Sequence, residues 1–359
     1  MSERLAIIIL AAGKSTRMKS EVPKVLHPLC GRPMLGYVLD LVKELSAQKT
    51  IAVLGYKHEE VRKILPPGIK AVVQKRLLGT ADAVKCALPI LRGFSGTVLI
   101  LYGDTPLLKA DTVKKLLTYH RQNNAAATLL GAHLEKPASY GRIVRDKFFS
   151  ICGIVEAKDA DDAQGQIKEI NTGIVCFDKK ALGEALSRIK ANNRKKEYYL
   201  TDAIGILYKK GRLIDGVNLQ DINESLGINA RIDLAQAAAV MQQRINEEFM
   251  KKGVTIVDPR STFISYGARI GQDTTIYPFT VIESGVIIGK RCSVGPFARL
   301  REGTCLKDDC LVGNFLEIVR SKISQKTLVK HFGYLGDSRI GRRVNIGAGA
   351  VITGTTTKR

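Results

Sequence analysis

The chain has 359 residues, 45% hydrophobic and 25% charged, which is ordinary for a globular protein and enough for two domains with separate cores. No run of eighteen apolar residues occurs, so no membrane-spanning helix is expected, and the apolar N-terminal stretch lacks the basic leader and cleavage site of a signal peptide. The net charge of +22 attracts anions, but the cations are dispersed, with Arg194-Lys195-Lys196 the densest cluster and no RNA-binding aromatic motif beside it, so the chain is read as binding neither nucleic acid nor membrane.

Residues 1 to about 230 alternate between two patterns. Continuous apolar runs at Ala6–Leu10, Thr50–Leu54, Ala71–Val73, Thr97–Leu101 and Ala126–Leu130 predict strands buried on both faces. Between them, Met34–Leu45, His58–Leu65, Ala81–Leu91 and Asp111–Gln122 read as helices. Strand–helix alternation predicts a doubly wound parallel sheet, with ligands beyond the carboxyl ends of its strands. From Ala230 to about Lys252 the chain is rich in helix formers and free of Gly and Pro, which predicts one long connecting helix.

After Gly253 the period changes again. Every sixth residue from Ile264 through Ile270, Ile276, Ile282, Ile288, Val294, Leu300, Leu306 and Val312 to Ile318 is aliphatic, ten in a row, and Gly follows directly at 271, 289, 295 and 313. The phase slips after Ile318 and returns at Ile340, Ile346 and Ile352. A period of six fits neither a helix nor a flat strand; it fits a parallel β-helix with three short faces per coil. The seven cysteines, Cys30, Cys86, Cys152, Cys176, Cys292, Cys305 and Cys310, form no CxxC and no zinc-ligand spacing, and their odd number suits a reducing cytosol.

The chemistry concentrates where the first strand runs into Leu10-Ala11-Ala12-Gly13, then Arg17 and Pro23-Lys24. A turn of small residues lets backbone N–H groups approach a phosphate, and two cations can neutralise its oxygens. Neither GxxxxGK[ST] nor GxGxxG is present. Asp104 closes an apolar strand, a position for a metal ligand or, equally, for a turn before Pro106. No Ser-His-Asp or Cys-His arrangement stands out.

L-A-A-G-x-x-T-R-M followed by P-K resembles the signature of the sugar-1-phosphate nucleotidyltransferases. The stretch PKVLHPLCGRPML is similar to the bacterial bifunctional N-acetylglucosamine-1-phosphate uridyltransferases, as are LGTA at 78–81, LYGD at 101–104, YGRIV at 140–144, EINTGI at 169–174, EYYLTD at 197–202 and GIN at 227–229. Ser15 stands where that family usually has a second glycine. The resemblance implies an α/β Rossmann-like nucleotidyltransferase domain over 1–229, a linker helix over 230–252 and a left-handed parallel β-helix of hexapeptide repeats over 253–359. It implies transfer of UMP from UTP to N-acetylglucosamine-1-phosphate, in a cytoplasmic homotrimer.

By the same resemblance Arg17, Lys24 and Asp104 are catalytic, and Asp104 with Asn229 holds Mg²⁺. Asn229 also sits where it could cap the connecting helix. Gln74 and Gly79 read the uracil, and Gly141, Glu156, Asn171 and Thr201 line the sugar pocket. Leu10, Ala11, Ala12, Gly13, Thr80 and Tyr102 complete the substrate-binding set. The family's second activity, acetyl transfer to glucosamine-1-phosphate, is expected to be lost. His331, Arg301, Tyr334 and Asn345 match its site, but Val319 replaces a phosphate-binding lysine, Thr353-Gly354-Thr355-Thr356-Thr357 replaces Asn-Tyr-Asp-Gly, and the chain stops before the acetyl-CoA-binding coils. Another sugar-1-phosphate as substrate, a non-catalytic regulatory subunit, and nucleic-acid binding resting on charge alone remain as alternatives.

Overall fold

The protein is described by a computed structural model covering residues 4–14 and 16–354; Ser15 and Thr355-Thr356-Thr357 lie outside the described residues. The chain forms two compact units, one running through His27 and resuming over Pro33–Leu234, the other taking Pro28–Arg32 and the chain from Ala235 onward.

In the first unit the apolar runs become β1 (Leu5–Ala11), β2 (Lys49–Leu54), β3 (Ile69–Val73), β4 (Thr97–Tyr102) and β5 (Ala127–His133). The helices between them are α1 (Met34–Glu44), α2 (His58–Arg62), α3 (Thr80–Ala87) and α4 (Ala110–Gln122). All seven residues of β1 are buried because its side chains alternate between two cores. Ala6, Ile8 and Leu10 face one that includes Val84 of α3, while Ile7, Ile9 and Ala11 face the other with Leu35 of α1 and Leu116 of α4. Fully burying such an aliphatic side chain contributes about 1.5–3 kcal/mol, so this strand anchors both layers.

One expectation is overturned, because the sheet is not wholly parallel. The chain continues through a hairpin, β6 (Gly141–Arg145) and β7 (Ile151–Val155), into β8 (Glu169–Asp178). The sheet ends with β9 (Ile214–Asn218), in the order β9-β5-β8-β4-β1-β2-β3. β8 runs antiparallel to both β4 and β5. The cause is the connection: a hairpin returns the chain to the end at which β5 finished, where Glu169 pairs with His133, whereas a parallel neighbour needs a crossover to the other end. β1, which runs into the turn at Leu10–Gly13, and β4, which runs toward Asp104, lie parallel to each other, as β1 does to β2.

The second unit is a parallel β-helix whose three faces are ladders of six, six and five short strands among the described residues. Most of the residues expected inside are inside: Ile264, Ile276, Ile282, Val294, Leu300, Val312 and Ile318 are fully buried, whereas Ile270, Ile340 and Ile352 are only partly covered. Gly271 is required by the stacking, since a Cβ there would lie 2.6 Å from the carbonyl carbon of Gly289 in the next coil. The phase slip has a simple origin. The core continues through Ile323, Val329 and Leu335, with a step of five residues instead of six from Ile318 to Ile323 and from Leu335 to Ile340. At these two shortened corners Arg320 and Asp337 adopt positive φ and pair through two bonds of 2.6 and 2.7 Å. Beneath them the hydroxyls of Ser321 and Ser338 meet at 3.0 Å. Helix α5 (Arg231–Lys251) is fastened to the first coil by Asn246, which is buried and donates to the carbonyls of Pro259 and Thr262 at 2.9 and 3.1 Å.

Candidate active site

The end of β1 and the turn that follows keep Leu10, Ala11 and Ala12 buried and leave Gly13 exposed. Arg17 follows on a single turn of 3-10 helix, Thr16–Met18, anchored by the buried Met18. Lys24 opens a second such turn, Lys24–Leu26, anchored by Val25. Asp104 lies two residues past β4, and its backbone carbonyl accepts from Ile228 N at 3.0 Å, which brings the neighbouring Asn229 alongside.

Four sequence-predicted residues therefore converge. Lys24 Nζ forms an ion pair with Asp104 Oδ2 and donates to Asn229 Oδ1 at 2.8 Å; Arg17 Nη2 donates to the same Oδ1 at 2.8 Å. The side chains of Lys24 and Asp104 are only 12% and 18% exposed, so their attraction is less screened than that of a surface pair. The capping reading of Asn229 is corrected: its Oδ1 serves the two cations, and Asp233 reaches back to accept from the backbone N–H groups of Asn229 and Ala230 at 2.8 Å each. Asp233 was missed, although an acid in the first turn of a predicted helix is a capping signal. Nor does the Asp104 carboxylate serve as a turn cap, since it faces Lys24.

A second group forms where β3 gives way to α3. Gln74 is buried, and Nε2 donates to Gly79 O at 3.1 Å and to Asp82 Oδ2 at 2.8 Å. Gly79 has φ +115°, and a Cβ there would sit 2.7 Å from Tyr198 N, so both conformation and space demand glycine. Thr80 Oγ1 accepts from Leu200 N at 2.9 Å, which zips this loop to the segment before Thr201. Asp82 was not singled out, because LGTADA gives no sign that its carboxylate returns to Gln74.

A third group lies on β8 and its hairpin. Tyr102, Asn171 and Thr201 line one small cavity together with Gly173 and Leu200. Thr201 Oγ1 donates to Glu156 Oε1 at 3.1 Å. Burial holds the Glu156 carboxyl above the usual range, and this hydrogen bond partly offsets the effect. Gly141 pairs with Asn171 across β6 and β8 and lies close to Glu156, whose Oε2 would be 3.7 Å from a Cβ at 141. Tyr199, also unforeseen, has its hydroxyl pushed up to about 12 by burial and by the carboxylates of Glu197, Asp159, Glu156 and Asp202.

In the β-helix, Arg301 and Tyr334 belong to one face, Asn345 to another, and His331 lies exposed at the corner between them. Arg301 pairs with Glu317 at 2.8 Å, and Val319 is buried.

An α/β sheet with cations and a carboxylate gathered beyond β1 and β4, ahead of a β-helix with a six-residue period, defines a nucleotidyltransferase carrying a hexapeptide-repeat region. Comparison agrees: the family described as the MobA-like NTP transferase domain matches residues 7–195, and the bacterial transferase hexapeptide family matches 267–302. The bifunctional protein GlmU of Shouchella clausii (strain KSM-K16) is 44% identical, over 98% of this chain and 84% of that protein. GlmU of Pelotomaculum thermopropionicum is 42% identical over 97% and 83%, and GlmU of Listeria monocytogenes serotype 4a is 40% identical over 98% and 84%. The chain belongs to the GlmU family.

Proposed function

We propose that the Arg17, Lys24, Asp104 and Asn229 cluster is the phosphate-transfer centre of an enzyme that moves UMP from UTP to N-acetylglucosamine-1-phosphate, giving UDP-N-acetylglucosamine and pyrophosphate. The observation that carries this reading is the meeting of two cations, a carboxylate and an amide oxygen beyond the parallel strands. The attacking sugar phosphate is already an anion, so the reaction needs no general base; it needs the reactants aligned and their charge neutralised. Arg17 and Lys24 supply positive charge to the triphosphate, against which the small-residue turn Leu10–Gly13 closes. Gln74 and Gly79 face the uracil edge. Glu156, Asn171 and Thr201 offer acceptors and donors to the sugar's hydroxyl and amide groups, with Gly141 and Tyr102 completing the wall.

Enzymes of this family use a divalent metal, and here Mg²⁺ is proposed. The donor set fits it: Asp104 and Asn229 present hard oxygen atoms to one shared cationic nitrogen, and among the described residues no group of three or more His, Cys, Asp and Glu could form a full protein cage. Such an ion would be held by these two side chains, substrate phosphates and water, and when bound it would neutralise charge on the reacting phosphates.

We assign catalysis to 1–229, the connecting helix to 230–252 and assembly as a homotrimer to the β-helix over 253–359, in the cytoplasm. Among the described residues no helix is long and apolar enough to cross a membrane. The test is pyrophosphate release across nucleoside triphosphates and sugar-1-phosphates. UTP with N-acetylglucosamine-1-phosphate is expected to give the highest kcat/KM, and a different preferred pair would overturn the assignment.

A further inference from the structure

Gln74 is 4% exposed, and both of its amide hydrogens are committed, one to Gly79 O at 3.1 Å and one to Asp82 Oδ2 at 2.8 Å. A carbonyl and a carboxylate can only accept, so the orientation of the amide is fixed by its partners: Nε2 must face them and Oε1 must face away. Among the described residues no donor reaches Oε1. The two partners are unequal. Gly79 O also accepts from Ala83 N at 3.1 Å, whereas the Asp82 oxygen is charged, and its bond is the shorter and stronger. Asp82 sits on the first turn of α3, where an acid is favoured by the helix dipole.

We propose that Asp82 is a positioning residue for nucleotide choice: it locks Gln74 so that an acceptor, and not a donor, faces the base. This rests on the reading of Gln74 as the residue that meets the base. Uracil carries N–H at position 3, and cytosine carries a lone pair there. With Oε1 held forward, uracil gains a hydrogen bond, whereas cytosine sets two acceptors against each other in a site with little water to relieve them. A glutamine free to turn over would serve either base, so Gln74 alone does not discriminate. The lock supplies the selectivity.

The experiment compares kcat/KM for UTP and CTP, each with N-acetylglucosamine-1-phosphate, in the wild type, Asp82→Ala, Asp82→Asn and Gln74→Ala, with thermal melts of all four. Asp82→Ala is expected to lower the UTP-to-CTP ratio roughly tenfold, through KM for UTP more than through kcat. Asp82→Asn, which keeps an accepting oxygen, is expected to restore most of the ratio. Should Asp82→Ala not fold, Asp82→Ser, too short to reach Gln74, takes its place. If Gln74→Ala lowers the ratio and Asp82→Ala leaves it unchanged, the lock is wrong while the base-facing reading stands. If Gln74→Ala leaves the ratio unchanged, the base-facing reading itself fails. Equal losses in Asp82→Ala and Asp82→Asn would show that charge and not orientation matters, and would also overturn the proposal.

Discussion

At the scale of single residues, the cluster around Lys24 makes the sharpest demands. Asp104→Ala leaves Lys24 without its counter-charge and removes the one carboxylate in the proposed metal site, so turnover is expected to fall at least a hundredfold with the fold intact. Pyrophosphate release measured beside circular dichroism checks this, and near-normal turnover in the folded variant removes Asp104 from the site. Glu156 should set a pH limb. Its carboxyl titrates above the ordinary range, so as pH falls the acceptor for the sugar is lost earlier than for an exposed glutamate, and KM for the sugar phosphate rises. Glu156→Gln should abolish that limb, and a limb that survives belongs to another group. Gly79→Ala forces a Cβ against Tyr198 N at a φ of +115° and is expected to cost about 1–3 kcal/mol of stability while raising KM for UTP, as read from thermal melts and initial rates. Lys24 and Asp104 were legible because each lies beside a strand end or a proline in a recognisable motif. Asp82 was not, because its role depends on a loop folding back onto Gln74, whereas Asp233 carried a legible capping signal in the first turn of the connecting helix.

At the scale of elements, hydrophobic patterning located the buried strands and the period of six but not the direction of every strand. β8 contains the apolar run Ile174-Val175-Cys176-Phe177, which reads the same whether the strand runs parallel or antiparallel; the hairpin before it decides. The β-helix core is traced from Ile264 to Ile318 and again from Ile340, but not through Ile323, Val329 and Leu335, because the corner after Ile318 shortens by one residue and shifts their phase, and a second short corner after Leu335 shifts it again. The inward and outward positions of one strand give a direct test. Ile288 is 2% exposed and its neighbour Ile287 is 43% exposed. Ile288→Ala should cost about 2–5 kcal/mol in denaturant unfolding, and Ile287→Ala within about 0.5 kcal/mol. Equal losses at the two positions would contradict the assigned faces.

For the whole molecule, two measurements bear on the second unit. A three-sided β-helix offers long faces for closure about a three-fold axis, and light scattering at micromolar concentration is expected to give a trimer; a stable monomer would refute this. Acetyl transfer from acetyl-CoA to glucosamine-1-phosphate is expected to be absent or far slower than uridylyl transfer. Val319 cannot neutralise a phosphate, and Arg301 is already engaged by Glu317. Coenzyme A release at a rate comparable with uridylyl transfer, abolished in His331→Ala, would show that the site works without that lysine.

The contact between Lys24 and Asp104 has a thermodynamic corollary. Two positive charges cannot share one carboxylate without each weakening the hold of the other, so an ammonium seated on Asp104 and a divalent ion seeking it are linked competitors. The nucleotide-free enzyme should therefore bind the ion weakly, and triphosphate, by drawing Lys24 toward its own oxygens, should strengthen that binding. Nucleotide and metal then load as a cooperative pair, and the enzyme resists trapping an ion before its substrate arrives. Calorimetric titration of Lys24→Met with Mg²⁺ alone should show tighter ion binding than the wild type even as turnover collapses. Unchanged affinity would mean that the lysine and the ion do not compete for Asp104.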